Sequence, residues 1–232
     1  MKIADCHMHS FFSSDSEAPT EEMVKRAVEL GLPAICLTDH YDMDYSTGEF
    51  QLDTPAYAAK IRELQEQIES ISKTIAEWNA EITQLQELGL QLHLKERMEE
   101  YVNAWPFDYV IGSMHVIDGK DPYYEDAFPD WTAEELYRAY FRATAENIRF
   151  FHNFQTLGHL DYVVRYCREK GKDYSYRAFA DEIDTILKEL IQYDIALEIN
   201  TGGYKAGLGV PNPTPDVIRR YRELGGEKIT FG

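Results

Sequence analysis

The chain carries seven histidines, and five of them, His7, His9, His40, His115 and His159, fall where short apolar runs end. Neutral imidazole is a ligand for zinc, manganese or iron. His7 and His9 stand one residue apart in Asp5-Cys6-His7-Met8-His9-Ser10, and positions i and i+2 of a strand face the same way. A strand there aims both rings at one ion, with Asp5 placed to orient a ligand from behind. The competing reading of each residue is an ordinary surface or turn histidine.

The elements that must hold these residues alternate along the chain. After the first strand, Thr20-Glu21-Glu22-Met23 starts a helix with a capping residue and early acids, and Gly31 stops it. Ala34 to Leu37 then reads as a buried strand running into Thr38-Asp39-His40. The segment from about Tyr57 to Gln91 reads as mostly helical, because Ile61, Leu64, Ile68, Ile71, Ile75 and Trp78 recur at three- and four-residue steps. Glu87 to Gln91 either closes that helix or ends a further strand. Lys95 to Val102 is helical, with Glu96, Glu99 and Glu100 as a solvated face. Phe107 to His115 reads as a strand ending in histidine.

Thr132-Ala133-Glu134-Glu135 opens an amphipathic helix from Trp131 to Asn153 in capping-box fashion. A strand end at Leu157–Asp161, a helix at Tyr176–Tyr193, a strand at Ala196–Asn200, a Gly- and Pro-rich loop from Thr201, a helix at Pro215–Leu224 and a last strand at Lys228–Gly232 complete the order. Strands alternating with helices, and polar residues gathered where strands end, predict a parallel α/β fold with one site at the carboxyl ends.

The formal net charge of -18, from 23 basic and 41 acidic residues, argues against a nucleic-acid partner, which demands clustered Lys and Arg. A small anionic substrate requires bound cations and local basic residues to reverse that field. Cys6, Cys36 and Cys167 show no C-x-x-C spacing and read as reduced thiols, Cys36 in the core and Cys6 as strand filler. No signal-peptide pattern and no membrane-spanning apolar run is present, so the expectation is a cytoplasmic protein without a membrane partner. The oligomeric state is not legible.

Taken together, Asp5-Cys6-His7-Met8-His9, Thr38-Asp39-His40, Glu87-Leu88-Gly89, Gly112-Ser113-Met114-His115, Gly158-His159-Leu160-Asp161 and Glu198-Ile199-Asn200-Thr201 resemble the polymerase and histidinol phosphatase (PHP) superfamily, and within it the histidinol-phosphate phosphatases. The pieces occur in family order over nearly the whole chain. The resemblance implies a distorted (β/α)7 barrel of TIM-barrel type, residues 1–232 forming a single PHP-type barrel domain with an unusually long helical segment at about 57–86. It implies two or three divalent transition ions, zinc, manganese or iron. His7 and His9 would hold one, Glu87 would bridge to a second held by His115 and His159, and Asp15 with His40 would hold a third. Asp161 would stand just behind the ions, and Arg165 and Lys205 would clamp phosphate, Lys205 where Arg is more usual.

The implied activity is metal-dependent hydrolysis of a phosphate monoester, L-histidinol phosphate by likeness, in histidine biosynthesis. The alternatives are another phosphoesterase of the superfamily, acting on nucleotides or small phosphorylated metabolites, or a catalytically impaired barrel used as a binding module. That last alternative rests on Gly232, where the chain stops before the family's Ser-Asp-Ala-His motif. Such a chain lacks the final C-terminal segment, and its first and third metal sites are expected to be weakened. Asp15 equally suits a local turn bond and Arg165 a helix surface. His93 and His152 read as structural, and Tyr123 and Tyr124 as rim packing.

Overall fold

The computed structural model describes residues 4–72, 81–124, 126–167 and 170–232. Eight strands form one parallel sheet in the order β1-β2-β4-β5-β6-β7-β8, with β3 beside β4. They are β1 Asp5–Met8, β2 Ala34–Leu37, β3 His40–Tyr41, β4 Glu81–Gly89, β5 Tyr109–Ser113, β6 Thr156–Leu157, β7 Ala196–Ile199 and β8 Ile229–Phe231. Helices α1 Thr20–Leu30, α2 Thr54–Ser72, α3 Lys95–Ala104, α4 Ala133–Phe150, α5 Ala180–Gln192, α6 Gly202–Lys205 and α7 Pro215–Glu223 lie between them. The ladder runs from β1 to β8 and does not close on itself among the described residues. The pairing therefore establishes a parallel α/β sheet, and the expected barrel goes beyond it. The edges do approach: β8 lies near β1, and a Cβ added at Gly232 would meet that of His7.

Local rules account for the boundaries. Gly31 adopts φ 65°, and its N–H closes α1 on the carbonyls of Ala27 and Val28. Thr132 and Glu135 form the expected reciprocal capping box at the start of α4. The helix expected from Trp131 begins and ends a few residues inside its predicted bounds. The core is largely made where α4 meets α5: Tyr137, Phe141 and Ile148 pack with Ile183, Ile186, Leu187 and Leu190, all with essentially no exposure. Each such side chain contributes about 1.5–3 kcal/mol on burial.

One expectation is overturned here. The expected helical segment at about 57–86 ends in a strand: the described helix covers Thr54–Ser72, and Glu81–Gly89 is a strand. Ile75 and Trp78, which carried the helical spacing furthest, lie outside the described residues. The misreading has a physical cause. Gln86 and Glu87 are wholly buried polar residues, so apolar patterning cannot mark them as strand. Gln86 is satisfied from a distance, its amide donating to the Asp39 carbonyl at 2.6 Å and accepting from the Tyr101 hydroxyl at 3.1 Å. Among the described residues no helix is long and apolar enough to cross a membrane.

Candidate metal centre

Strand register assembles the site. β3 pairs with β4 so that His40 lies opposite Glu87, and β4 pairs with β5, which leads to His115. Glu87 has no exposed surface and is ringed by five imidazoles. Its Oε2 lies 3.1 Å from His7 Nε2, 3.0 Å from His9 Nε2 and 3.3 Å from His40 Nδ1. Its Oε1 lies 3.3 Å from His115 Nε2 and 3.0 Å from His159 Nε2. A carboxylate offers about four lone-pair sites, so five nitrogens overfill it as hydrogen-bond donors. The same arrangement is natural for a carboxylate shared between cations.

Asp15 extends the cluster, its Oδ2 at 2.8 Å from His9 Nδ1 and 3.5 Å from His40 Nε2. The loop that carries it is tied down by Asp39, which accepts from the Ser10 N–H at 2.6 Å and the Ser10 hydroxyl at 2.8 Å. Other carboxylates set the rings. Asp42 Oδ2 is 2.7 Å from His115 Nδ1, and Glu198 bonds His7 Nδ1 and accepts the His159 N–H at 2.7 Å. With Nδ1–H donating outward, each of these two rings turns its Nε2 lone pair inward.

The fit to metal rests on these observations. His7 and His9 bring their Nε2 atoms to 2.9 Å of each other, a separation two ligands of one ion take at a right angle when each bond is about 2.0–2.1 Å. His40 Nδ1 and His115 Nε2 are buried without a hydrogen-bond partner, although both lie near Glu87. Such orphaned atoms cost about 1–3 kcal/mol each, and a shared cation removes the cost. Four groups of ligating atoms are close enough to hold an ion: His7, His9 and Glu87; His9, Asp15 and His40; His40, Asp42 and His115; and Glu87, His115 and His159.

The electrostatics of the metal-free chain agree. Burial acts to raise the Glu87 carboxyl, but the surrounding histidines overcome it and hold the group well below the usual range. Burial acts to lower His9, and hydrogen bonds to Asp15 and Glu87 reverse this, lifting it to about 9. At His159 burial dominates and brings the ring down to about 4.

The cluster opens into a cavity of about 880 Å³ whose wall includes His7, His9, His40, His115 and His159 together with Arg165, Lys170 and Lys205. Arg165 donates from Nε to Asn212 at 2.7 Å and from one Nη to Asn200 at 2.6 Å. Asp161 does not reach the imidazoles. Its buried carboxylate accepts from Asn212 at 2.6 Å and from Tyr174 at 2.8 Å, so it supports Arg165 through Asn212. His93 is exposed beside Asp44 and His152 stacks on Tyr193 at 4.1 Å. Tyr123 and Tyr124 both line the cavity.

Sequence reasoning missed Asp42 and Lys170, and singled out Glu198 only within its motif, without a role. Asp42 follows His40 by two residues, a same-face spacing that could have marked it.

A PHP domain model matches residues 5–202. The chain belongs to the PHP family. Among curated PHP relatives, the histidinol-phosphatase of Lactococcus lactis subsp. lactis (strain IL1403) is 32% identical, aligned over 100% of this chain and 83% of its own. A probable histidinol-phosphatase of Clostridium acetobutylicum is 28% identical over 99% of this chain and 85% of its own. The crystal structure of the Lactococcus lactis histidinol phosphate phosphatase, complexed with zinc, L-histidinol and phosphate, superposes with a TM-score of 0.90 at 31% identity, covering 100% of this chain and 85% of that one. A putative histidinol phosphatase from Listeria monocytogenes shares the fold, with a TM-score of 0.83 at 18% identity over 99% of this chain and 93% of that one.

Proposed function

We propose that this PHP chain is a metal-dependent phosphomonoesterase that hydrolyses L-histidinol phosphate to L-histidinol and phosphate. The observation that carries the reading is Glu87, one buried carboxylate with imidazoles on both oxygens, behind histidines that line a cavity with Arg165, Lys170 and Lys205. His7 and His9 would hold one ion, His115 and His159 a second with Glu87 between, and Asp15 with His40 a third. Zinc, manganese and iron suit these donors. When bound, the ions supply Lewis acidity toward phosphoryl oxygens and make water acidic enough to attack near neutral pH.

The chain's own residues do the rest. Arg165 is held by two asparagines with guanidinium donors to spare, so it arrives aligned for the phosphate oxygens, and Lys170 and Lys205 add positive charge to the same wall. This local field is what lets a chain of net charge -18 receive a phosphate ester. Glu198 and Asp42 keep the His7 and His115 tautomers fixed. The approach of β8 to β1 supports closure into a single barrel domain spanning residues 1–232, and the three cysteines in thiol form support a cytoplasmic setting.

The test is phosphate release from histidinol phosphate by the metal-reconstituted chain beside a His7→Ala control and a panel of nucleotide and sugar phosphates. Turnover that the control abolishes and that exceeds the panel by tenfold or more is expected. Comparable rates across the panel would overturn the substrate assignment.

A further inference from the structure

The cavity has a second polar pole that hydrolysis of phosphate does not use. Asp121 lines it with only 3% of its surface exposed. Its Oδ2 accepts from the Tyr45 hydroxyl at 2.5 Å and its Oδ1 from the Tyr123 N–H at 2.7 Å, while the Tyr162 hydroxyl stands 3.4 Å from both oxygens. Among the described residues no Lys or Arg lies within ion-pair distance of it. A carboxylate buried without a cation is unfavourable, and these neutral donors leave part of its capacity of about four acceptor sites unfilled.

Tyr162 fixes where this carboxylate stands relative to the chemistry. Its ring centre is 5.3 Å from that of His115 and 5.1 Å from that of His159. The Arg165 guanidinium lies over the same ring, 5.9 Å from its centre. The histidine cluster, Arg165 and Asp121 therefore all border one tyrosine ring. A small ligand lying along the Tyr162 ring reaches from Arg165 toward Asp121. Its two ends would carry opposite charges, an anion for the guanidinium and a cation for the carboxylate.

We propose that Asp121 is a specificity-determining residue that binds the primary ammonium group of the substrate, so that the cavity selects phosphate esters of amino alcohols over wholly anionic ones. This rests on the histidinol phosphate reading above. The ammonium supplies the missing cation and takes the open acceptor site of the carboxylate. The hydroxyls of Tyr45 and Tyr162 keep that carboxylate in place, and the Tyr162 face adds an electrostatically favourable surface for a cation. A charge-assisted contact of this kind is worth about 10- to 100-fold in affinity.

The experiment is calorimetric binding to the metal-loaded protein of three probes: L-histidinol, its deaminated analogue 3-(imidazol-4-yl)propan-1-ol, and inorganic phosphate. The wild-type chain is expected to prefer L-histidinol over the analogue by about 10- to 100-fold. Asp121→Asn, which keeps the side chain's size, is expected to erase that preference and leave phosphate affinity unchanged. No preference in the wild type, a preference that persists in the variant, or an equal loss of phosphate binding would each overturn the proposal. Phosphate release from histidinol phosphate is measured on the same preparation. Absent turnover with the binding preference intact would overturn the reaction assignment and leave the ammonium site standing.

Discussion

His40 and Glu87 are paired residues on adjacent parallel strands, β3 and β4, and their side chains meet at 3.3 Å without forming a hydrogen bond. Register brings the ring and the carboxylate together, and their separation without a hydrogen bond fits a cation shared between them. This is the local signature of the whole cluster.

Glu87→Gln keeps the volume of the buried side chain and removes its charge. Bound metal should fall in stoichiometry, and turnover should drop by more than the roughly 10- to 100-fold typical of residues that only support a ligand. Elemental analysis of the purified variant beside its rate checks both. Full metal content with near-normal turnover would show that Glu87 is only a structural acceptor.

Asp42→Asn leaves His115 with a partner that no longer enforces a single tautomer. The expected result is about 10- to 100-fold weaker metal affinity at the site formed with His159, with little change in the other ions. Competition against a graded chelator resolves the sites. A uniform loss at every site would instead point to disruption of the fold around β3.

Arg165→Ala removes a donor prepositioned by Asn200 and Asn212. KM for the phosphate ester should rise about 10- to 100-fold, because charge-assisted bonds to phosphate are strong, while metal content stays unchanged. Arg165→Lys should recover only part of the loss, since the fork is missing. Unaltered KM in the alanine variant would remove Arg165 from the substrate's surroundings.

Chelation should make stability depend on pH in a defined direction. In the metal-free chain His9 is raised from 6.5 to about 9, and Asp15 is lowered from 3.8, burial opposing and the His40 and His9 hydrogen bonds prevailing. A raised histidine stabilises fully below its unfolded value and loses that contribution as pH climbs through the folded one. A depressed carboxylate contributes above its unfolded value and loses its effect as pH falls. The stripped protein should therefore melt at its highest temperature near pH 6.5, losing stability toward pH 9 as His9 gives up its proton and toward pH 4 because buried His159, brought down to about 4, resists charging. Asp15→Asn should flatten that slope. Restoring metal requires neutral rings, so uptake at pH 7 should release protons into a weak buffer. A melting temperature independent of pH above 6.5 would contradict this electrostatic picture.

Much of the site was legible because imidazoles at strand ends are conspicuous. His7 and His9 advertise themselves by spacing alone, and the Thr132–Glu135 box announced its helix. Less legible were residues whose meaning depends on distant partners. Gln86 and Glu87 look like solvent-facing positions until Asp39, Tyr101 and five histidines surround them, and that is why the helical reading ran through Gln86 and stayed open between helix and strand at Glu87. Asp161 was expected just behind the ions because it follows His159 by two residues, and sequence adjacency says nothing about direction. Its carboxylate turns toward Asn212 and Tyr174. Lys170 and Asp121 lie outside regular elements, where no periodicity points to a cavity.

The ring of histidines around Glu87 draws on residues in or directly after β1, β3, β4, β5 and β6, with Glu198 of β7 holding it from outside. Of the four ligand groups among the described residues, three join strands far apart in the chain, while His9, Asp15 and His40 come from the amino-terminal strands and their loop alone. Parallel strands joined through intervening helices come together late, because distant segments must meet first. Bound metal is consequently a reporter of the assembled sheet, because the ligands around Glu87 meet only when strands far apart in the chain have paired.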